Sequence, residues 1–266
     1  MTSFWSRIVV GAALLPLVLW FVWLGGWWLF ALALVGGILA LHELYAIARG
    51  LRPLVLGGYV GLVLVMVGAQ LGGTPWLVAA MGGTFVVSFL LFGMSDARPS
   101  FTAAMGTTIL GVVWVGGGLA ALLLVRDADR GRLALFTVLL AVWADDTAAY
   151  FIGRMIGRHR MAPTLSPKKS WEGFIAGTLA AMAVAFFALY QDRDTYLTIW
   201  EAVVLGAVVA VAAALGDLFE SAVKRDVSVK DSGRLLGGHG GFLDRLDSLL
   251  FAGPAAYAAI LAFGHA

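Results

Sequence analysis

Long apolar stretches separated by short polar segments are the feature that most constrains how this chain can fold. Of its 266 residues, 61% are hydrophobic and 13% are charged, whereas soluble domains carry about 25% charged residues. Runs of about 18 or more apolar residues can cross a bilayer as helices. Because lipid offers the backbone no hydrogen-bond partners, such runs must be helical. The sequence therefore predicts an all-α, polytopic integral membrane protein.

The apolar stretches predict about nine transmembrane helices and leave no length for a separate soluble domain. Their approximate bounds are 8–24, 27–48, 54–71, 75–94, 103–125, 133–152, 171–190, 199–222 and 246–263. The first run follows Arg7 and has no small-residue cleavage site after it, so we interpret it as a retained span. Small residues are frequent in the third to fifth spans and favour close helix contacts.

The basic residues predict the orientation of the chain. Most of its 18 lysines and arginines fall on segments that are inner if the amino terminus is inner; the exceptions are Arg126, Arg130, Arg132 and Arg193. This bias predicts a cytoplasmic amino terminus and cytoplasmic loops at 153–169 and 223–245.

The net charge of +2 is too small to indicate nucleic-acid binding. The absence of cysteine excludes disulfides and cysteine metal sites.

Polar groups are concentrated in the second half of the chain. We treat residues 1–266 as one transmembrane domain, in which 1–130 supply scaffold helices with lipid contacts. Residues 131–266 supply the helices that carry the polar groups and the cytoplasmic loops. The first half carries few charged residues within its spans, which fits a supporting role.

The densest group of charged residues lies between the last two predicted spans. Charge beside membrane segments is costly unless it faces water and has a function. Carboxylates bind hard divalent cations, lysine and arginine bind phosphate oxygens, and glycines let backbone N–H groups approach an anion. The mixture predicts a site for magnesium and a phosphorylated substrate. The charged residues are Asp217, Glu220, Lys224, Arg225, Asp226, Lys230, Asp231, Arg234, Asp244, Arg245 and Asp247.

The end of the eighth predicted span carries Asp217, Glu220, Ser221 and Lys224. Their spacing places Asp217, Ser221 and Lys224 on one stripe of a helix, with Glu220 beside it. On such a stripe, a carboxylate can bind a metal ion while the lysine binds the phosphate that bridges to it. The alternative is an ordinary ion-pair network at a helix end.

Asp244 and Asp247 begin the ninth predicted span on either side of Arg245. Acids stabilise a helix N-terminus, but capping accounts for one acid and not for two beside an arginine. The glycine-rich residues 237–241 come just before them, as in loops that bind an anion at a helix N-terminus. His239 in this loop can bind a phosphate or act as an acid or base; a structural hydrogen bond is the alternative.

Asp145 and Asp146 lie within the sixth predicted span, where charge must face a wet cavity, a metal ion or a basic partner. Adjacent residues cannot share one helical face, so we expect one of them to reach the site and favour Asp145. A buried pair with Arg154 or another base is the alternative. These two acids therefore extend the predicted site beyond the last two spans.

Lys168 and Lys169 come just before the seventh predicted span, where they oppose the helix dipole. Phosphate binding would offset this repulsion, and anchoring at the inner membrane surface is the alternative. Ser170 has the position of an N-cap. The pair His42-Glu43 near the inner end of the second span either contacts the site or lies at the interface.

The charged residues of the last loop resemble the signature of the phosphatidate cytidylyltransferases, also called CDP-diacylglycerol synthases. The pattern comprises Ser221, Lys224, Arg225, Lys230, Asp231, Gly233, residues 237–241, Phe242, Asp244, Arg245 and Asp247. Segments 143–157 and 166–173 are also similar to this family, so the resemblance covers about the carboxyl-terminal half. Gly237 stands where members commonly have proline, and Ser170 stands where threonine is frequent.

The resemblance implies that CTP and phosphatidate react to CDP-diacylglycerol and pyrophosphate with Mg²⁺. It also implies an all-helical homodimer in a bacterial-type inner or plasma membrane, with an active site that faces the cytoplasm and admits lipid. Because the phosphatidate phosphate is already ionised at neutral pH, it can attack the α-phosphorus of CTP in line without a strong general base. Catalysis can then rest on positioning and charge neutralisation.

Given this resemblance, we assign Asp217 and Asp244 to the metal centre, with Asp247 and Asp145 as supporting ligands. The number of carboxylates leaves room for a second metal ion. Ser221 is expected to orient a phosphate or a metal-bound water, and Lys224 to bind phosphate. The expected substrate-binding residues are Arg225, Lys230, Asp231, His239 and Arg245, with Lys168 and Lys169 on the triphosphate or the leaving pyrophosphate.

Two other functions are compatible with parts of the pattern. A CTP-dependent lipid-alcohol kinase would use similar metal and phosphate groups but would release CDP in place of pyrophosphate. A cation or phosphate transporter should carry polar groups at mid-depth in corresponding halves of the chain. Here the polar groups lie toward the inner ends of the last four spans, which favours chemistry on a membrane-held substrate.

Overall fold

The structure, a computed structural model, describes residues 15–94, 100–233 and 240–265. Within these residues almost all regular structure is helical. The helices are α1 (Leu15–Leu24), α2 (Gly26–Ile47), α3 (Val55–Gly93), α4 (Phe101–Gly111), α5 (Gly118–Asp127), α6 (Gly131–Ile156), α7 (Trp171–Leu189), α8 (Ile199–Asp226) and α9 (Asp247–Ala262). A π-helical segment, Val112–Gly117, joins α4 to α5, and short 3₁₀ turns occur at Arg49–Leu51, Tyr190–Asp192 and Leu243–Arg245.

Among the described residues, six helical stretches are long and apolar enough to cross a membrane. They are Gly26–Ile47, Val55–Gly93, Phe101–Asp127, Gly131–Ile156, Trp171–Asp192 and Ile199–Asp226, while α1 and α9 are shorter apolar helices. The prediction of an all-α membrane protein is confirmed at this level. The number of about nine spans and the cytoplasmic amino terminus stay predictions.

Helix α3 contains a reversal that separates the predicted third and fourth spans. Gly73 has φ 63° and ψ −151°, a conformation that ordinary side chains disfavour, and Pro75 follows it. The halves before and after Gly73 pack on each other, because a Cβ placed on Gly57 would lie 2.9 Å from Ser88 Oγ. A Cβ on Gly61 would overlap Thr84. The expected close contacts between glycine-rich spans are thus present.

The predicted polar loop 153–169 is wrong in two respects. Helix α6 continues to Ile156, and an antiparallel hairpin follows, with strands β1 (Arg160–Ala162) and β2 (Ser166–Ser170). These strands are short, irregular in register and mostly half-buried or exposed. Such strands lack the apolar alternation that identifies a strand in a sequence, so the all-α prediction missed them.

The chain divides into two compact units. The first unit contains Met1–Leu124 and Asp226–Leu246, and the second contains Val125–Arg225 and Asp247–Ala266. In the first, Leu41 and Leu62 are fully buried; in the second, Leu135 and Leu205 are almost fully buried.

Between α7 and α8, burial and nearby Asp129 raise the pKa of Tyr196 to about 12. This phenol therefore stays neutral over the physiological pH range.

Candidate active site

A cavity of about 700 Å³ in the second unit is lined by both acidic and basic side chains. Its volume falls within the range of about 300–1,000 Å³ that is usual for small-molecule sites. The charged residues that line it are Asp145, Asp146, Arg154, Arg160, Lys168, Lys169 and Asp217. The cavity can therefore accept a ligand that carries both phosphates and a bound cation.

Asp145 is buried between α6 and α7 because glycine allows these helices to approach closely. A Cβ on Gly177 would overlap Asp145 Oδ1, and a Cβ on Gly173 would lie 2.7 Å from Ala149 O. The Asp145 residue is only 4% exposed. The charged neighbours that act on this carboxylate are Asp146 and Lys169.

Asp146 lines the same cavity but is exposed. We expected only one of these adjacent acids to reach the site. Successive helical residues are about 100° apart around the axis, and this angle proves small enough for both to line the cavity wall. The second acid thus belongs to the cavity lining as well.

Lys169 and Asp217 form an ion pair at the cavity wall. The Lys169 Nζ lies 2.8 Å from Asp217 Oδ2 and donates a hydrogen bond of 3.3 Å to Ala214 O. Ser221 Oγ donates a longer bond of 3.4 Å to the other oxygen of Asp217. Both carboxylate oxygens of Asp217 therefore have partners that a metal ion could replace, and a phosphate oxygen could replace Asp217 as the partner of Lys169.

The hairpin that carries Lys168 and Lys169 is fixed to the start of α7. His159 N–H and its Nδ1 both contact the Glu172 carboxylate, with 2.6 Å between Nδ1 and Oε1. Trp171 N–H donates to His159 O at 2.9 Å. The predicted N-cap is confirmed, because Ser170 Oγ accepts a hydrogen bond of 3.2 Å from Gly173 N–H. The two lysines are thus presented from an anchored strand.

Glu220, which the sequence placed beside the stripe of polar residues on α8, contacts a member of that stripe. Lys224 pairs with Glu220, and Glu220 is 1% exposed. The lysine was predicted to bind a phosphate, and the structure pairs it with a buried carboxylate one turn earlier. Arg225 follows on the exposed surface of the helix end.

Asp247 at the start of α9 lies beside α8. A Cβ on Gly216 would overlap the Asp247 carbonyl oxygen, so glycine allows this close approach. The charged groups that act on the Asp247 carboxylate are Asp217, then Asp146 and Lys224. The structure therefore brings together several of the acids that the sequence assigned to a metal centre.

The carboxylate oxygens of these acids suit magnesium. Among the described residues, no group of three or more side chains is already arranged to bind a metal ion. Mg²⁺ commonly keeps several waters and is bound through one or two carboxylates plus substrate phosphates. Asp217 and Asp247 would supply oxygen ligands of the required type, and Asp145 lines the same cavity as Asp217. A nucleotide would supply the remaining oxygens.

The other predicted site residues that the structure describes belong to the first unit. Lys230, Asp231 and Arg245 are exposed. Asp244 accepts a hydrogen bond of 2.7 Å from Gly241 N–H and bonds of 3.3 Å from Ser232 N–H. Its carboxylate therefore holds the backbone of its own loop.

His239 and its neighbours 234–238 lie outside the described residues, so their predicted roles stay predictions. One residue of the first unit was left open by the sequence and is well defined in the structure. Glu43 is 3% exposed and accepts hydrogen bonds of 2.9 Å from Ser232 Oγ and from Leu243 N–H. An acid within an apolar helix was the available signal, but its partners are distant in sequence.

Comparison with known proteins identifies the family of the chain. Residues 5–263 match the cytidylyltransferase family, and the chain belongs to that family. It is therefore an enzyme of the transferase class.

Its relatives are more specific. A phosphatidate cytidylyltransferase of Mycobacterium bovis is 34% identical over 279 aligned positions, which cover 95% of this chain and 86% of the relative. The protein of the same name from Mycobacterium tuberculosis is also 34% identical, with 80% of the relative covered. The Staphylococcus aureus phosphatidate cytidylyltransferase is 36% identical over 199 positions, which cover 73% of this chain and 74% of the relative.

Proposed function

We propose that this chain transfers the cytidylyl group of CTP to phosphatidate, producing CDP-diacylglycerol and pyrophosphate at the cytoplasmic face of a bacterial-type inner or plasma membrane. The observation that carries this proposal is the cavity in which Lys169 and Asp217 meet among further acids and bases. Such a set of side chains suits a metal-bound triphosphate. The names of the relatives supply the substrate class.

The reaction needs little covalent help from the protein. A phosphate oxygen of phosphatidate forms a bond to the α-phosphorus of CTP, and the bond from that phosphorus to the oxygen that bridges to the β-phosphorus breaks. Pyrophosphate leaves with the electron pair of the broken bond. No proton must be removed from the attacking group, because the phosphatidate phosphate is already ionised at neutral pH. Positioning and charge neutralisation are the main requirements.

In the second unit, the basic residues are proposed to bind phosphates and the acidic residues are proposed to bind Mg²⁺. Lys168 and Lys169 would bind the triphosphate and then the leaving pyrophosphate, with Lys169 exchanging Asp217 for a phosphate oxygen. Asp217 and Asp247 would hold Mg²⁺, supported by Asp145. When bound, Mg²⁺ neutralises charge on the phosphate oxygens and helps to keep the reacting groups in line.

Several assignments rest on the resemblance to the family. Asp244 is proposed as a further metal ligand, and the number of acids leaves room for a second ion. Ser221 and Lys224 would orient the reacting phosphates. Arg225, Lys230, Asp231, His239 and Arg245 are proposed to bind the substrates. The working protein is proposed to be a homodimer.

The test uses the purified full-length chain in detergent micelles with phosphatidate, Mg²⁺ and CTP labelled at either the α- or the γ-phosphorus. We expect the α-label to appear in the lipid fraction and the γ-label to appear in pyrophosphate. Label from the γ-position in the lipid would instead identify a lipid kinase. Absence of any lipid product with phosphatidate would contradict the proposal.

A further inference from the structure

Glu43 is a buried carboxylate in the otherwise apolar helix α2. Its residue is 3% exposed, in a helix whose other acidic or basic side chain is His42. Burying a carboxylate is costly unless hydrogen bonds compensate for the lost water. This cost indicates that Glu43 has partners that matter to the protein.

Those partners come from the far end of the sequence. Glu43 Oε2 accepts one hydrogen bond from Ser232 Oγ and another from Leu243 N–H, and each bond is 2.9 Å long. Ser232 and Leu243 lie 189 and 200 residues after Glu43 in the sequence. The other oxygen, Oε1, is buried and has no hydrogen-bond partner among the described residues. A single carboxylate oxygen therefore joins α2 to two points of the signature loop.

Two glycines of the signature make room for this carboxylate. A Cβ on Gly233 would overlap Glu43 Oε1, and a Cβ on Gly241 would overlap Glu43 Oε2 and Ser232 Oγ. Any side chain at either position would push the carboxylate away. The sequence pattern suggested that loop glycines bind an anion, whereas these two allow the backbone to approach Glu43.

Ser232 connects Glu43 to Asp244. Its hydroxyl donates to Glu43, and its backbone N–H donates to the Asp244 carboxylate at 3.3 Å. Asp244 also accepts from Gly241 N–H at 2.7 Å. The two carboxylates therefore hold the same loop segments, and displacing Glu43 would displace Ser232 and, through it, Asp244.

From this chain of contacts we propose that Glu43 is a positioning residue of the enzyme. It fixes segments 232–233 and 240–243 and thereby places Asp244 for the reaction. Glu43 acts through Ser232 and Leu243, since its own carboxylate is buried beneath these segments. The proposal deepens the proposed function and rests on it for the catalytic consequence, whereas the effect on the loop is independent of the substrate.

The experiment measures hydrogen–deuterium exchange and steady-state kinetics on the same purified full-length variants. For Glu43→Ala we expect exchange in the peptide that contains Leu243 N–H to be about 10-fold faster or more, because an amide that loses its acceptor opens more readily. We expect kcat to fall by about 10–100-fold, as is typical when a residue that orients a ligand is lost. KM for CTP should change by less than about 3-fold, because the lysines assigned to the triphosphate are not altered.

Glu43→Gln is the conservative variant. Its amide oxygen can still accept from Ser232 and Leu243, so we expect it to recover most of the exchange protection and part of kcat. His42→Ala is the matched control, because His42 is the adjacent exposed residue and contacts Tyr59 at 3.1 Å in place of the loop. This control should keep both the exchange pattern and kcat of the wild type.

Wild-type exchange at Leu243 together with wild-type kcat in Glu43→Ala would overturn the proposal. If Glu43→Ala fails to fold, Ser232→Ala carries the test, since it removes one of the same hydrogen bonds; unchanged exchange and kcat there would also overturn it. A wild-type protein without cytidylyl transfer would refute the proposed function instead. The exchange comparison would still decide whether Glu43 holds the loop.

Discussion

The cavity of the second unit and the signature segments of the first unit use carboxylates in different ways. In the cavity, Asp217 faces Lys169 Nζ at 2.8 Å, a side-chain partner that ligands can replace. In the first unit, Asp244 of the signature and Glu43 of α2 accept hydrogen bonds from the backbone of the signature segments. The comparison teaches that acids near the signature can differ in role, with one type facing the cavity and another holding a loop. The sequence alone assigned both Asp217 and Asp244 to the metal and left Glu43 open.

Removal of metal should give the largest effect and tests the cavity side of this comparison. With a chelator present, we expect cytidylyl transfer to fall below detection, because the phosphate charges are no longer neutralised. The thermal unfolding midpoint should stay within a few degrees, since Lys169 can pair with Asp217 when the metal is removed. Activity and unfolding are measured on the same sample before and after Mg²⁺ is added back. Full activity in chelator would contradict the metal proposal.

Asp217→Asn should reduce kcat by about 10²–10³-fold, the range found when one electrostatic group of an active site is removed. The amide keeps the shape of the side chain but loses the charge that pairs with Lys169 and binds metal. The measurement is the initial rate at saturating CTP and Mg²⁺. Asp194→Asn, at an exposed acid beside Arg193, is the matched control and should retain wild-type rates. Equal rates in the two variants would remove Asp217 from the site.

Asp244→Asn distinguishes a loop-holding acid from a purely metal-binding one. We expect faster amide exchange at Ser232 and Gly241, because an amide accepts through only one of its two end atoms. The rate should also fall by about 10–100-fold. Asp217→Asn should leave exchange at Ser232 and Gly241 unchanged. If Asp244→Asn lowered the rate without any change in exchange, loop holding by this acid would be excluded.

Gly177→Ala tests how the packing of α6 against α7 places Asp145. The added methyl group would overlap Asp145 Oδ1, so overpacking should lower stability by about 1–3 kcal/mol. Displacement of the carboxylate should lower kcat by about 10-fold. Both are measured against Gly106→Ala, whose Cβ would meet nothing within 4 Å. Equal stability and kcat in the two variants would show that Gly177 does not restrict Asp145.

Ser170→Ala should give the smallest change. Loss of the hydrogen bond from Gly173 N–H to this cap should lower stability by about 1 kcal/mol. Thermal unfolding would show it as a lower midpoint. Ser100→Ala is the control, because Ser100 occupies the N-cap of α4 without a side-chain cap bond. A larger loss of stability in Ser100→Ala than in Ser170→Ala would contradict the capping role.

The sequence predicted most of the helices because hydropathy reports directly on the surroundings of each span. It also placed a boundary near Gly73, where glycine and Pro75 together favour a turn. It missed the hairpin 160–170, because these short polar strands follow no apolar alternation. The composition of a segment therefore predicts those helices and turns whose structure depends on nearby residues.

The candidate site was predictable to a similar extent. Charge within apolar segments identified Asp145 and Asp217, and charge opposed to a helix dipole identified Lys169; the structure places all three at one cavity. The role of Glu43 was not predictable, because its partners lie 189 and 200 residues away and no periodic pattern links them. The need for glycine at position 241 was unpredictable for the same reason, because Glu43 is distant from it in the sequence. Contacts of this kind are set by tertiary packing and have no local signal.

The ion pair between Lys169 and Asp217 has a consequence for how ligands enter. It serves as an internal counter-ion, so the charge of Asp217 is compensated within the cavity wall. A cation and a triphosphate that enter together would exchange partner for partner, and the local charge would stay nearly balanced. Binding should then depend only weakly on bulk salt, in contrast to sites that attract their ligand through an unscreened surface field.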